Sequence, residues 1–420
     1  MTTRPSPLRS APRRTTLVRL TGLAIASALT ASGWAQGKPA ASTRKPAAPC
    51  TTSDWPLWTD FKAHFVQTDG RVVDLTSTQL HSTSEGQSYG MFFALVANDP
   101  QTFQSIWDWS IDNLFAGDLA TNLPAWQWGK SESGEWKVLD KNSASDADIW
   151  FVYALLEAAR VWNKPEYRAH ARTLLATIEK HEIVTLPGLG KMLLPGQYSF
   201  AQANDLWRLN PSYMPVPILR LLDAESPGAG WGEIAANTAK MLEETSPHGF
   251  SPDWLAYQGT SASTGKFVVD PIRGELGSYD AIRVYLWAGM LPDSDPLANR
   301  MRQAVPGLAN ATIGAAAPPE KVNTRTGEQS GGAPFGFSAA LLPYLQATGQ
   351  SKLLELQRQR VDTLQKLTLL PEILQSRPPP YYDYVLTLFS LGWIESRYQF
   401  QQNGTVKLSW EKSCPHVATR

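Results

Sequence analysis

The sequence predicts a mainly α fold, arranged as a closed array of helical hairpins. Three observations carry that prediction. Helix-period apolar patterns recur roughly every 20 to 40 residues, with Pro/Gly-rich loops between them. The patterns come in pairs, a nearly all-apolar segment followed by a striped one, as an inner and an outer ring would require. The short strand-like pieces at 266–269 and 405–410 show no βαβ alternation with the helices.

Taken in order, the first pair is 87–96 with 101–114. The second is the clearest. Residues 146–162 (DADIWFVYALLEAARVW) are apolar on nearly every side, so this helix is buried. Residues 165–180 begin at Pro165 and place Tyr167, Ala171, Leu174, Leu175 and Ile178 on one stripe, so this helix lies at the surface. Further pairs are 213–222 with 231–244 and 336–345 with 352–366, and 382–397 closes the series. The stretch 306–334 is rich in Gly, Ala and Pro and reads as a long loop, either functional or a passive insertion.

Composition narrows the class. The chain has 420 residues, 43% of them hydrophobic and 18% charged, which suits one large core or two ordinary domains. The first 35 residues hold Arg4, Arg9, Arg13, Arg14 and Arg19 and no acid. An apolar run at 20–31 follows, then Ser32, Gly33, Trp34 and Ala35, the order of a secretory signal cut near Ala35. That run is well short of the roughly 20 residues of a membrane span. The expected location is therefore periplasmic or secreted, with no membrane span in the mature chain. Residues 36–49 read as a flexible leader and 50–420 as one domain. The net charge is zero before the signal is removed, and no basic cluster remains after it, so nucleic acid is not expected as a partner. Cys50 and Cys414, the only cysteines, flank the expected mature fold and suggest a disulfide. Closing so long a loop would stabilise by on the order of 5 kcal/mol. The six His are scattered, and no metal is expected.

Three carboxylates stand at helix entrances beside small or aromatic residues. They are Glu85 in TSEGQSYGM, Asp146 in SASDAD and Asp280 in GSYDAIR. Each also has a structural reading: Glu85 with Ser84 as a helix cap, Asp146 three residues after Ser143 as a capping box, and Asp280 as a local ion pair with Arg283. Their joint occurrence favours chemistry on sugar. Breaking a glycosidic bond takes one carboxylic acid to protonate the leaving oxygen and a second carboxylate as nucleophile or base. Spacing alone leaves open which acid keeps its proton. Flat aromatic faces lie nearby in sequence, in Trp126-Gln127-Trp128, in the segment from Trp207 to Tyr213, and in Tyr381-Tyr382-Asp383-Tyr384. Apolar walls with a few placed polar groups are what a pyranose needs.

These motifs resemble glycoside hydrolase family 8, in particular its periplasmic members encoded with bacterial cellulose synthases. The resemblance rests on TSEGQSYGMFFALVANDP, LPAWQWGK, VLDKNSASDADIW, VTLPGLGKMLLPG, NPSYMP, GFSPDW, SYDAIRVYLWAGMLPDSDP, GFSAALLP and YYDYVLTLFSLGW, and covers essentially everything after the leader. It implies an (α/α)6 barrel with an open substrate cleft and an inverting endo-β-1,4-glucanase that needs no cofactor. It also implies a role in cellulose production, with a glucan chain as substrate and the cellulose synthase complex as a partner. By the same matching Glu85 is the general acid and Asp280 the general base. Asp146 is the signature Asp, which holds and distorts the sugar. Trp128, Trp207, Tyr213, Tyr279, Arg283 and Tyr382 are glucan contacts. Inversion implies carboxyls roughly 6.5 to 9.5 Å apart. The rival readings are a chitosanase or xylanase on the same fold, or a non-catalytic glucan-binding subunit.

Overall fold

The computed structural model describes residues 53–412; the expected signal and leader segments and the expected Cys50–Cys414 disulfide fall outside the described residues. Fourteen α-helices occur among the described residues. In chain order they are α1 Pro56–Phe65, α2 Ser84–Val96, α3 Pro100–Asn113, α4 Ser145–Trp162, α5 Pro165–Glu182, α6 Val216–Glu225 and α7 Trp231–Thr245. There follow α8 Ile282–Met290, α9 Ala298–Ala304, α10 Gly307–Thr312, α11 Phe335–Ala347, α12 Ser351–Thr368, α13 Pro371–Leu374 and α14 Tyr381–Ile394. No helix among the described residues is long and apolar enough to cross a membrane.

Burial sorts the helices into two layers. Helices α2, α4, α8, α11 and α14 are buried on nearly all sides, and α6 completes an inner ring. Helix α2 packs on α4 and α14, α4 on α6, and α8 on α11, which packs on α14. The 3-10 turn Pro211–Tyr213 touches both α4 and α8 and links the two arcs. Helices α3, α5, α7 and α12 bury one stripe each against that ring, the amphipathic pattern of a surface layer.

The centre of the ring is filled by aromatic rings, not a channel. Tyr89 and Phe92 of α2, Trp150 of α4, Trp287 of α8 and Phe389 of α14 converge with centroids 4.9 to 5.7 Å apart. Edge-on contacts dominate, as ring quadrupoles prefer. Three of these rings lie four residues beyond a polar residue in a first turn: Glu85 and Tyr89, Asp146 and Trp150, Arg283 and Trp287. A spacing of four stacks side chains on one helix face. The apolar plug therefore forms a floor beneath the polar first turns of α2, α4 and α8.

Strands serve the ends of the ring. Ser82–Thr83 pairs with Gln127–Lys130, which pairs with Trp136–Asp140, and leads directly into α2. Leu206–Leu209, between Ala201–Gln202 and Leu255–Ser261 in a four-stranded sheet, leads into the 3-10 turn. Leu276–Gly277 pairs with Pro319–Asn323 and leads toward α8. The other end is sealed by the hairpin Tyr398–Phe400/Val406–Leu408. Tyr153 of α4 donates to the Gly404 carbonyl at 2.9 Å, and the Val406 N–H donates to Glu157 at 2.8 Å.

The sequence reading placed the helix pairs, except that its 213–222 member runs Val216–Glu225 behind a 3-10 turn, and it missed α1, α13 and most of the strands. Helix α14 ends at Ile394 and not near 397, because Ser396 takes φ +57° and the chain turns into a strand. Residues 306–334 are not one loop: they hold α10 and the hairpin Pro319–Asn323/Gln329–Gly332. Residues 405–410 hold the strand Val406–Leu408, followed by the 3-10 turn Ser409–Lys412.

Where α8 meets α11, Gly289 has no room for a side chain. A Cβ there would lie 2.2 Å from the Tyr344 nitrogen and 2.4 Å from the Pro343 carbonyl carbon, both backbone atoms that cannot rotate away. Gly289→Ala is expected to push the two inner helices apart and destabilise the fold by about 1–3 kcal/mol, read as a lower urea midpoint. An unchanged midpoint would mean that the two helices have slack.

Candidate active site

The first turn of α2 is set by Thr83, whose hydroxyl accepts from the Gly86 N–H at 3.0 Å. Thr83, not Ser84 or Glu85, is thus the N-cap, and the Glu85 side chain is free to point elsewhere. Helix α4 has no side-chain cap; Ser143 donates instead to Glu182 at 2.6 Å, so the capping box with Asp146 does not form. Asp280 lies in the turn just ahead of α8.

All three acids meet one guanidinium. Arg283 Nη1 lies 3.4 Å from Glu85 Oε2, and Nη2 lies 3.2 Å from Asp280 Oδ1 and 3.7 Å from Asp146 Oδ2. The local pair between Asp280 and Arg283 is real, but it is one part of a larger cluster. Arg283 is 4% exposed and also donates to the Tyr382 hydroxyl at 2.9 Å and to Ser212 Oγ at 3.0 Å. Ser212 is turned toward it by Asn210, whose Oδ1 accepts from both the N–H and the hydroxyl of Ser212. The Tyr213 ring lies 5.8 Å from the guanidinium carbon.

Burial differs among the acids, and so does their chemistry. Asp146 is buried, and the guanidinium at 3.7 Å is beyond hydrogen-bond length. Desolvation, then the nearby Glu85 charge, pushes Asp146 up to about 7 against the pull of Arg283. Glu85 retains 22% of its side-chain surface and Asp280 30%. The Glu85 carboxyl is raised, first by desolvation and then by Asp280, with Arg283 opposing. One cation among three carboxylates leaves an excess of negative charge, and the surroundings favour keeping a proton on Glu85 and Asp146.

The expected aromatic contacts divide into two groups. Tyr213, Tyr279 and Tyr382 join the cluster: the Tyr382 hydroxyl donates to the Tyr279 carbonyl at 2.9 Å, and their rings lie 6.4 Å apart. Tyr279 is 44% exposed, and its hydroxyl donates to Glu320 at 3.1 Å. Trp128 and Trp207 are not drawn into the guanidinium cluster. Trp128 stacks on Trp136 at 5.3 Å with Arg71 4.6 Å from its ring, and Trp207 lies in a strand opposite Tyr257. Both are half-buried. A cavity of about 740 Å³ near Phe335, Arg360, Leu364 and Asp383 includes none of the three acids. Among the described residues no group of three or more His, Cys, Asp or Glu is arranged to hold a metal ion.

Four residues of the site escaped the sequence reading. Trp254 donates its indole N–H to Asp280 Oδ2 at 3.0 Å, and Asp253 accepts backbone N–H groups of the turn that carries Asp280. Asp148 and Glu182 are wholly buried behind Asp146 and face one another. Both oxygens of Asp148 and Oε2 of Glu182 have no donor. Two acceptors can be joined only by a proton. Burial is the main reason that Glu182 is pushed up to about 8 and Asp148 well above the usual range, and the Asp146 charge adds to both. No motif signals such a pair; only the fold brings residues 148 and 182 together.

The relatives agree with this architecture. The sequence model described as Glycosyl hydrolases family 8 matches residues 45–396. An endoglucanase of Pseudomonas fluorescens (strain SBW25) is 50% identical over 370 residues, covering 86% of this chain and 93% of that protein. An endoglucanase of Escherichia coli (strain K12) is 43% identical over 371 residues, covering 87% and 94%. The solved structure of an endo-1,4-D-glucanase from Vibrio fischeri ES114 superposes with TM-score 0.76 at 38% identity, covering 85% of this chain and 99% of that one.

Raised carboxyls reverse the usual dependence of stability on pH. The folded state holds protons on Asp146 and on the Asp148–Glu182 pair that the unfolded chain releases near pH 4. The folded state then binds more protons, so stability falls as pH rises from about 4 through the raised values near 7 and 8. Glu182→Gln removes one of these groups and keeps the shape. Its melting temperature is expected to fall less steeply between pH 5 and 9 than that of the parent. Parallel slopes would show that the pair does not hold a proton.

Proposed function

We infer the reaction from one premise: the chain belongs to glycosyl hydrolase family 8 and is a glycoside hydrolase, an endo-1,4-β-glucanase of the (α/α)6 barrel type. The finer reading proposed is cleavage of cellulose chains with inversion. Glu85 is the general acid, Asp280 the general base, and Asp146 the group that grips the sugar at the cleavage point. We place the enzyme in the periplasm or outside the cell, linked to bacterial cellulose biosynthesis, with the cellulose synthase complex as its setting.

The observation that carries this reading is the convergence of the three acids on Arg283. Glu85 and Asp280 touch different nitrogens of one planar group. Their separation is thereby capped near the upper end of the roughly 6.5–9.5 Å that an interposed water requires. Desolvation raises the Glu85 carboxyl, which favours the protonated form that an acid for the glycosidic oxygen needs. Asp280 accepts one hydrogen bond on each oxygen, from Trp254 and from Arg283, which fixes its plane and leaves lone pairs for a water. As the C–O bond breaks, Glu85 gives its proton to the departing hydroxyl. Water attacks the anomeric carbon from the opposite face and loses a proton to Asp280. Arg283 stays charged throughout and offsets the carboxylate left on Glu85.

Proton transfer by a positioned group contributes about 10²–10⁴-fold. Glu85→Gln and Asp280→Asn are therefore each expected to lower kcat on cellopentaose by at least about 10²-fold, with KM little changed. Proton NMR of the first products should show the α-anomer. An initial β-anomer would overturn the inverting assignment. Faster turnover of chitosan or xylan than of carboxymethylcellulose would overturn the substrate, and binding without hydrolysis by the parent would favour a glucan-binding subunit.

A further inference from the structure

The turn 278–281 that presents Asp280 has backbone bonds of its own, such as the Ile282 N–H to the Ser278 carbonyl at 3.0 Å, but three of its N–H groups are held from another segment. The N-cap of α8 is Ala281, which offers no side-chain cap of its own. The cap comes from another segment. Asp253, 6% exposed, accepts on a single oxygen, Oδ1, from the backbone N–H groups of Ser278 (2.7 Å), Asp280 (3.1 Å) and Ala281 (2.8 Å). The Asp253 N–H in turn donates to the Leu276 carbonyl at 2.8 Å, so the two segments are strapped together on both sides of the turn. The next residue, Trp254, reaches past the backbone to the Asp280 side chain and donates its indole N–H to Oδ2 at 3.0 Å.

Trp254 is itself held on several sides. Its ring stacks on Phe200 at 5.8 Å with planes 10° apart, and the Tyr213 ring meets it edge-on at 6.0 Å. The Arg208 guanidinium carbon lies 4.9 Å from the ring. Arg208 is fixed by a bidentate pair with the fully buried Asp270, at 2.6 and 3.2 Å. An ordered series of contacts thus runs from Asp270 through Arg208 and Trp254 to one oxygen of Asp280, while Arg283 holds the other.

We propose that Asp253 and Trp254 are a pair of positioning residues for Asp280, the first fixing the backbone that carries the carboxylate and the second fixing the plane of the carboxylate itself. This rests on the reading of Asp280 as the general base. A base must aim one lone pair at a water that is itself aimed at carbon, and misplacement by about 1 Å can cost 10²-fold. The two neighbours remove both freedoms of Asp280: where its backbone sits, and how its carboxylate is turned.

The test is a double-mutant cycle. Trp254→Phe keeps an aromatic ring against Phe200 and removes the N–H together with part of the indole. It is expected to lower kcat on cellopentaose by about 10-fold, the worth of a hydrogen bond to a charged group, with KM within about 2-fold. In an Asp280→Asn background, with residual rates read in an excess of enzyme, adding Trp254→Phe is expected to cost less than about 2-fold, because residues acting as a unit are not additive. An equal loss in both backgrounds, or a loss falling mainly on KM, would overturn the proposal and place the indole against the sugar. If Asp280→Asn alone keeps parental activity, the base assignment fails, a result distinct from additivity in the cycle. Asp253→Ala is expected to lower kcat in the same non-additive way and Asp253→Asn, which keeps an accepting oxygen, to restore part of it. If Asp253→Ala does not fold, the Trp254→Phe cycle decides alone.

Discussion

The Arg283 guanidinium lies out of water among three carboxylates, and its burial sets conditions that much of the surrounding structure meets. An unpaired buried cation is costly, and truncating one member of such a cluster leaves the others uncompensated. Here the positive charge is shared among Glu85, Asp146 and Asp280, and the Tyr382 and Ser212 hydroxyls take up further N–H groups. The partners come from α2, α4, the 3-10 turn, the turn before α8, and α14. The charge cluster is therefore also the point at which the arcs of the inner ring are tied together. Burial first, and then the imbalance of one cation for three acids, raises the carboxyls where the reaction uses a proton.

The aromatic floor makes this arrangement hold its shape. Tyr89, Trp150 and Trp287 stand one helical turn below Glu85, Asp146 and Arg283. Interiors packed at crystal-like density deform little, so the polar first turns rest on a base that resists tilting. The low polarity below goes with a gradient of burial, from the enclosed Asp146 to the part-exposed Glu85 and Asp280. One apolar plug thus supplies both stiffness and the desolvation that raises the acids.

The sequence made some parts of this legible and hid others for physical reasons. Helix α4 was plain because its apolar residues run around the whole cylinder, a pattern that only a buried helix carries. Glu85, Asp146 and Asp280 stood out through their motifs, and the structure brings them together. The hairpin within 306–334 was invisible because its second strand, Gln329–Gly332, is fully exposed and half glycine, without apolar alternation. Arg283 read as a local partner of Asp280, because pattern shows neighbours three apart and not the Tyr382 that lies 99 positions away. Asp253, Asp148 and Glu182 looked like ordinary acids. Their roles arise from what the fold sets against them.

The hairpin at the far end of the ring has a consequence for how the protein reaches its folded state. Tyr153 and Glu157 of α4 are satisfied by Gly404 and Val406, partners about 250 positions further along, and the Trp410 indole caps the Leu95 carbonyl of α2. Until that segment arrives the Tyr153 hydroxyl lacks its partner and Glu157 has only Arg160 of its own helix, and the loop to be closed spans about 250 residues. Such distant closures are slow, since chain entropy is lost before the contacts compensate. The far end of the ring is thus held by a hairpin about 250 positions away in sequence, much as a cask holds only once the base is seated, and damage to that hairpin would loosen the staves it touches.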